Sequence, residues 1–554
     1  MQRRAAAAKR IGGVGGAAGL ALLAVATAAS AQVEQVRIEG TQDRGRLGSS
    51  VATIGDLDGD GCDDWVVGER TADTANGTDT GQVHVISGAT GTVLRSHLGS
   101  APFGQLGDHV VALGDVDGDA VPDYAAAAPS HDSSSNSASG RIEAYSGATG
   151  QLLWGTDGFD SFDFLGRELC AIDDLDGDGR RDLIAAYLTG TDDVDVYSGA
   201  TGAYLTTLNT PNQFVTSMAR IGDVDGDGRR DFAIGYPFGW ITAQNEGYVR
   251  IYSGATGAWI RTISGVGVDD GLGESLVGTD DVDQDGVEDF LVGAGVRKGT
   301  RDGRIELRSG ATLAVLRTIP GATGEQLGNF VGAGGDWDGD GIEEQFATAI
   351  AAAPHGSVHV YSGATGAELH VYASDDSAAS HDVRFGWSLA TGDWNGDGIG
   401  DLAIAADGWY GSTGTDRGIV HAFLGCPAAQ SNYGVGHPGT FGTPTLSISG
   451  DPELGATLTF TADNSRGAKT TGWVLIGDAA ASISLKKGGT LLVAPQIVLA
   501  ITIPASGFST QEQLPDDPAL GFSDFFLQIV ELDPGAAGGL SMTQGLQLRL
   551  GWDY

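Results

Sequence analysis

A nine-residue acidic pattern, D-x-D-G-D-G-x-x-D in its fullest form, occurs seven times, beginning at Asp56, Asp115, Asp174, Asp223, Asp281, Asp336 and Asp393. Side-chain oxygens at positions 1, 3, 5 and 9, with the backbone carbonyl of position 7, can surround one hard cation, and a glycine at position 6 permits the sharp turn. The candidate ligands are Asp56, Asp58, Asp60, Cys62 and Asp64; Asp115, Asp117, Asp119, Val121 and Asp123; Asp174, Asp176, Asp178, Arg180 and Asp182; and Asp223, Asp225, Asp227, Arg229 and Asp231. The last three loops offer Asp281, Asp283, Asp285, Val287 and Asp289; Asp336, Asp338, Asp340, Ile342 and Glu344; and Asp393, Asn395, Asp397, Ile399 and Asp401. At position 7 only the carbonyl is meant. Four carboxylates held together without a cation would repel one another, so the pattern predicts up to seven structural Ca²⁺ ions. One copy alone would equally describe a solvated Asp/Gly turn. Seven in register bind the chain to a repeat.

The loop starts are 59, 59, 49, 58, 55 and 57 residues apart, long enough for one four-stranded sheet per repeat. Eight residues before five of the loops stands Leu-Gly (Leu47-Gly48, Leu106-Gly107, Leu165-Gly166, Leu272-Gly273, Leu327-Gly328). Phe214-Val215 and Phe385-Gly386 replace it in the fourth and seventh repeats. Short apolar runs such as 231–237 follow each loop and read as buried strands. An alternating strand then ends in SGATG at Ser87, Ser146, Ser198, Ser253 and Ser362, or SGATL at Ser309. Dense glycine and the absence of a sustained helical period after the N-terminus favour an all-β chain. Four short strands in each of seven repeats describe a seven-bladed β-propeller with calcium-binding loops.

The [FL]G pair, the acidic loop and the small-residue runs that follow it, 126–129 and 351–354, resemble FG-GAP repeats as found in the seven-bladed head of integrin α-subunits and in secreted bacterial proteins. The resemblance covers residues from about 33 to 425; its acidic loops are specific, its FG and GAP elements degenerate. It implies that the loops join the first and second strands of each blade on a lower face and that ligands engage the upper one.

Arg3, Arg4, Lys9 and Arg10 precede an apolar stretch and Ala29-Ser30-Ala31, which reads as a secretory signal peptide over 1–31. The expected organisation continues with the propeller over 32–425, a linker over 426–443 and a small β-sandwich-like domain over 444–554. The seventh repeat lacks a strand after 418–424, and the alternating segment 33–38 is expected to supply it, closing the ring. Cys62, Cys170 and Cys426 are an odd set, and a Cys62–Cys426 disulfide is one pairing that closure allows.

The formal charge of −41 becomes −45 once residues 1–31 are removed, because they carry four basic and no acidic side chains. Seven Ca²⁺ would return it to about −31. This excludes nucleic acid and anionic membrane surfaces as partners, and no segment after the signal favours stable membrane insertion. His84, His359 and His421 share one strand position with Glu143, Asp195, Arg250 and Glu306, so they read as a solvated face of an outer strand rather than a zinc or catalytic cluster. No nucleophile, zinc-protease or phosphate-loop motif appears, and no catalytic residue is assigned. The loops between second and third strands vary most, and Phe238, Trp240, Trp409 and Tyr410 on them either meet a ligand or fold back over the blade's own core.

The leading expectation is an extracellular or cell-surface protein, with the periplasm as another destination, that binds a protein or glycan ligand in an adhesion-like role. The alternative is a calcium-dependent extracellular polysaccharide-active enzyme, a lyase or hydrolase.

Overall fold

The computed structural model describes residues 34–549 apart from 189–193, 212, 296–301, 339, 353–354, 374–383, 410–415, 426–428, 450–455, 478–479, 486–488 and 515–523. The signal-peptide reading of residues 1–31 therefore lies outside the described residues, as do Tyr410 and Cys426. The described residues are all-β with almost no helix. It divides into the unit Glu34–Gly425 and a second unit that includes Cys426–Tyr554.

In the first unit seven four-stranded antiparallel sheets follow one another along the chain. The first sheet, Leu47–Gly55, Asp64–Glu69, Gln82–Ile86 and Val93–Leu98, sets the plan. Its second strand is buried along its whole length, as are Asp123–Ala128 and Asp401–Ala406 in other sheets. Apolar runs without alternation suit strands covered on both faces. Outer strands such as Val93–Leu98 are largely solvated. The innermost strands touch their neighbours in cyclic order, from Leu47–Gly55 through to Ser388–Gly392 and back to Leu47–Gly55. Radial sheets around a closed ring of inner strands are the arrangement of a β-propeller.

The ring closes through both termini of the unit. Glu34–Glu39 is the outer strand of the last sheet, pairing antiparallel with Ile419–Phe423 in the register Val36↔Ala422 and Ile38↔Val420. This is the closure expected of segment 33–38, and it leaves that sheet no missing outer strand.

The [FL]G pair joins one sheet to the one before it. Leu106, Leu165, Leu272 and Leu327 each form a parallel bridge to the glycine that opens the preceding sheet's third strand, and Leu47 does the same to Gly418 across the closure. These leucines are buried. The glycine after each takes a positive φ, between 85° at Gly48 and 96° at Gly328, which a β-carbon would oppose. Trp65 stacks on Trp394 with ring centroids 5.2 Å apart, adding a buried aromatic contact between the first and last sheets.

The second unit places a three-stranded sheet (Leu446–Ser449, Thr457–Ala462, Phe508–Gln513) and a larger one containing Thr470–Gly477 and Asp524–Leu532 around one core. Leu458 and Phe460 of the former share that core with Val474, Ile476, Phe525 and Ile529 of the latter. The stretch 426–443 differs from the linker expected there, because Ala429–Tyr433 forms an edge strand against Gly545–Arg549. Its polar sequence gives no strand signal; the partner that recruits it lies more than a hundred residues away.

Candidate functional site

Each acidic loop joins the first and second strands of its sheet, and all seven carry the same internal hydrogen bonds. The position 6 amide donates to the position 1 carboxylate, as in Gly61 N to Asp56 Oδ2 at 2.9 Å and Gly398 N to Asp393 Oδ2 at 2.8 Å. Position 5 donates to position 3, as in Asp178 N to Asp176 Oδ1 at 3.0 Å, and position 7 to position 5, as in Arg180 N to Asp178 Oδ1 at 2.8 Å. Position 2 donates to position 9, as in Leu57 N to Asp64 Oδ2 at 2.9 Å and Trp337 N to Glu344 Oε2 at 2.9 Å. The carboxylates are thus fixed by the backbone of their own loop, and an oxygen with a single donor, such as Asp56 Oδ2, keeps lone-pair capacity.

Oxygens of Asp56, Asp58 and Asp64 lie within 4.8 Å of one another, and so do those of Asp115, Asp117 and Asp123, of Asp174, Asp176 and Asp182, and of Asp223, Asp225 and Asp231. In the fifth loop Asp281, Asp283 and Asp285 form such a set. The first four triads join positions 1, 3 and 9, and the fifth joins positions 1, 3 and 5. These are hard oxygen donors, a set that suits a cation such as Ca²⁺.

Position 9 is the buried corner of the loop: Asp64, Asp123, Asp182, Asp231, Asp289, Glu344 and Asp401 are fully inaccessible. Burial pushes the carboxyls of Asp64, Asp182, Asp231 and Asp289 up to about 6 and Asp401 up to about 7, against backbone hydrogen bonds that pull them down. Glu344 is pushed to about 9, again chiefly by burial. A cation reverses this preference by favouring the ionised form.

The SGATG motif belongs to the same site, a role that its sequence did not disclose. Its first glycine donates to the position 9 carboxylate: Gly88 to Asp64 at 3.1 Å, Gly147 to Asp123 at 2.8 Å, Gly254 to Asp231 at 2.8 Å and Gly310 to Asp289 at 2.9 Å. Gly425, in the altered motif of the last sheet, does the same to Asp401 at 2.9 Å. A β-carbon on Gly147 would stand 1.8 Å from the carbonyl oxygen of Pro122, at position 8 of the loop, so no other residue fits. The motif's serine also reaches position 5, as in Ser309 Oγ to Asp285 Oδ2 at 3.2 Å. The signal in the sequence was the fixed co-occurrence of the two motifs, one per repeat.

Neighbouring loops are tied together. Arg180 of the third loop donates to the Asp115 carbonyl at 2.9 Å and lies 3.3 Å from its carboxylate. Asp63 N donates to Asp393 O at 2.8 Å across the ring closure. Glu343 N donates to Asp280 Oδ2 at 3.1 Å.

Residues 47–86, 214–252 and 385–423 match the family model of the FG-GAP repeat. The chain carries FG-GAP repeats. The three matched stretches run through the first, fourth and seventh sheets from the [FL]G position to the end of the third strand. The sheets between them repeat the same loop wiring.

The shared histidine position departs from its reading as a solvated face. It lies on the third strand of each sheet, and Glu143, Asp195, Glu306 and His421 are buried there. Local partners satisfy it: Asp195 accepts from Tyr187 Oη at 2.7 Å, and His84 Nδ1 is 2.8 Å from Ser96 Oγ. Alternation had placed these side chains correctly on one face but not what covers that face. Cys62 and Cys170 are buried free thiols. Of the aromatic residues on the variable loops, Trp409 folds back into the core of the last sheets, whereas Trp240 is 70% exposed.

At the other end of the inner strands lies a cavity of about 370 Å³. The residue after each [FL]G position lines it, and it differs in every sheet: Ser49, Asp108, Arg167, Thr216, Glu274, Asn329 and Trp387. The next residue lines it too, and in four sheets that residue is serine. These serines stitch sheet to sheet, as in Ser217 Oγ to Gly273 O at 2.9 Å and Ser275 Oγ to Gly328 O at 3.0 Å. The acidic loops stand where the inner strands end, and this mouth where they begin.

Proposed function

We propose that this is a secreted, calcium-stabilised binding protein that engages a protein or glycan ligand outside the cell. The observation that supports it is the contrast between seven identically wired acidic loops and a mouth whose lining changes from sheet to sheet. Identical wiring suits a structural ion at each loop, and a varied lining on a constant scaffold suits recognition. Calcium would be held by the carboxylates at positions 1, 3, 5 and 9 and the carbonyl at position 7, with Asn395 replacing one carboxylate in the last loop. The ion supplies positive charge that relieves repulsion among carboxylates the backbone already holds together. Export through the segment 1–31 would deliver the chain to millimolar calcium, where weak sites also fill. No described helix is long and apolar enough to cross a membrane.

The test is to probe glycan and extracellular-protein arrays with the full mature chain, in calcium and again in chelator. Specific capture in calcium that is lost in chelator is expected. No capture in calcium would overturn the binding reading.

A further inference from the structure

Unpaired sheet edges in this chain are mostly guarded. Each outer strand of the propeller carries a charged side chain, as Arg95, Arg261 and Glu368 do, except Tyr204–Thr207, which is only four residues long. In the second unit the edge strand Phe508–Gln513 has Glu512, and Leu446–Ser449 is again four residues long. Charge and shortness are common protections of an unpaired strand. One edge has neither. Ile497–Ile503, with the sequence IVLAITI, is the end strand of the larger sheet, and among the described residues its only strand partner is Thr470–Gly477. That register runs without a bulge from Thr470↔Ile503 to Ile476↔Ile497. Residues 488–511 contain no charged side chain, although the chain as a whole stands at −41. On the outer face Val498 is 54% exposed, and Ala500 and Thr502 are exposed beside it. On the inner face Ile497, Leu499 and Ile501 pack against the core of the unit yet stay half-buried. The backbone groups turned away from Thr470–Gly477 and this half-covered aliphatic row fit the same occupant, one more strand.

The strand's own sequence selects that occupant. Turned antiparallel about a two-fold axis at Ala500, it sets Ile497 against Ile503 and Leu499 against Ile501 on the inner face, and Val498 against Thr502 on the outer. Residues opposite each other in an antiparallel pair lie on one side of the sheet, so aliphatic meets aliphatic toward the core and no charges oppose. A slip of one residue would set inner side chains against outer ones. A slip of two would bring Pro495 opposite Ile503 or Pro504 opposite Val498, and proline has no N–H for the ladder. We infer that Ile497–Ile503 is a homodimerisation edge, through which a second copy of this chain joins its larger sheet to the first by antiparallel pairing about Ala500. A two-fold pairing uses both edges and leaves none open, whereas a bare aliphatic edge templates uncontrolled association. This inference stands apart from the calcium loops and from the ligand-binding reading above.

Sedimentation velocity of the full mature chain in saturating calcium, over a dilution series, should show a monomer–dimer equilibrium. Ala500→Lys sets two ammonium groups against each other at the axis, from an exposed position, and should weaken dimerisation roughly tenfold or more. Ala500→Cys should cross-link to its own copy through a short bis-maleimide, with the unaltered chain as the control for its own thiols. Val498→Cys should not, because it would lie about 13 Å along the strands from its counterpart. A monomer at every concentration would overturn the inference and leave the edge to a strand of another protein. A dimer that survives Ala500→Lys, or that cross-links as readily through Val498→Cys, would place the contact elsewhere and overturn it too. If Ala500→Lys does not fold, the two cysteine variants decide.

Discussion

At the loop end of the unit Glu34–Gly425, the same backbone amides meet the same carboxylates in seven copies; at the mouth, one register position carries Ser49, Asp108, Arg167, Thr216, Glu274, Asn329 and Trp387. Both ends belong to the same inner strands. The difference shows where the fold fixes residue identity and where it fixes only residue position. At the loops the backbone needs particular side chains to satisfy its own donors. At the mouth the side chains point into a shared space and are free to differ.

The sharpest break in this comparison is a deletion at position 9. Asp182 accepts from Leu175, Asp176 and Gly199, so Asp182→Ala strands three amides and should cost on the order of 4 kcal/mol in urea unfolding, even in chelator. Asp176→Ala, at the exposed position 3, should cost about 1 kcal/mol under the same conditions. Equal costs would mean that position 9 has no special structural part. Gly199→Ala comes next: its β-carbon would lie 2.0 Å from the Arg181 carbonyl, and an expected loss of about 3 kcal/mol can be read from the same unfolding curves.

Two departures from the repeat sharpen the comparison in the other direction. Ala120 occupies position 6 of the second loop at φ 71°, and Leu313 replaces the last glycine of SGATG at φ 63°. Ala120→Gly and Leu313→Gly should each stabilise by about 1 kcal/mol. Ala120→Gly should also tighten the second loop for calcium about fivefold, measured by titration of single-site variants. Arg180 beside Asp115 already supplies that loop with a positive charge, a further reason for it to release calcium first. The smallest effect belongs to the mouth. Asn329→Ala should change unfolding stability by less than about 1 kcal/mol, because the acceptor it removes has no partner.

Most of the first unit was legible because its signals are short. The ligand spacing inside each loop, the [FL]G pair and the alternating segment 33–38 each lie within ten residues, and the positive φ at Ala120 follows from aligning its loop with the others. What escaped depends on distance. The first glycine of SGATG meets position 9 some twenty residues away, and nothing in either motif states that they touch. The strand Ala429–Tyr433 is polar and exists through its pairing with Gly545–Arg549. The mouth is assembled from residues about sixty apart, each unremarkable alone; only an alignment of the seven repeats, read for variation instead of constancy, would have exposed it.

We propose that calcium holds the loop end together, and the decisive measurement is thermal unfolding of the mature chain in calcium and in chelator, at pH 5 and pH 8. In chelator the buried carboxyls of Asp182, at about 6, and Asp401, at about 7, lie above the ordinary value of 3.8, so the folded chain keeps protons that the unfolded chain releases. That contribution is complete below the ordinary value and is lost as pH rises through 6 to 7, so cation-free stability falls across this window. Calcium bound as proposed would favour the ionised form and add about 2.7 kcal/mol per site at a hundredfold excess over its dissociation constant. The melting temperature should therefore be higher in calcium at both pH values, with the wider gap at pH 8. Superimposed curves at pH 8 would contradict the account.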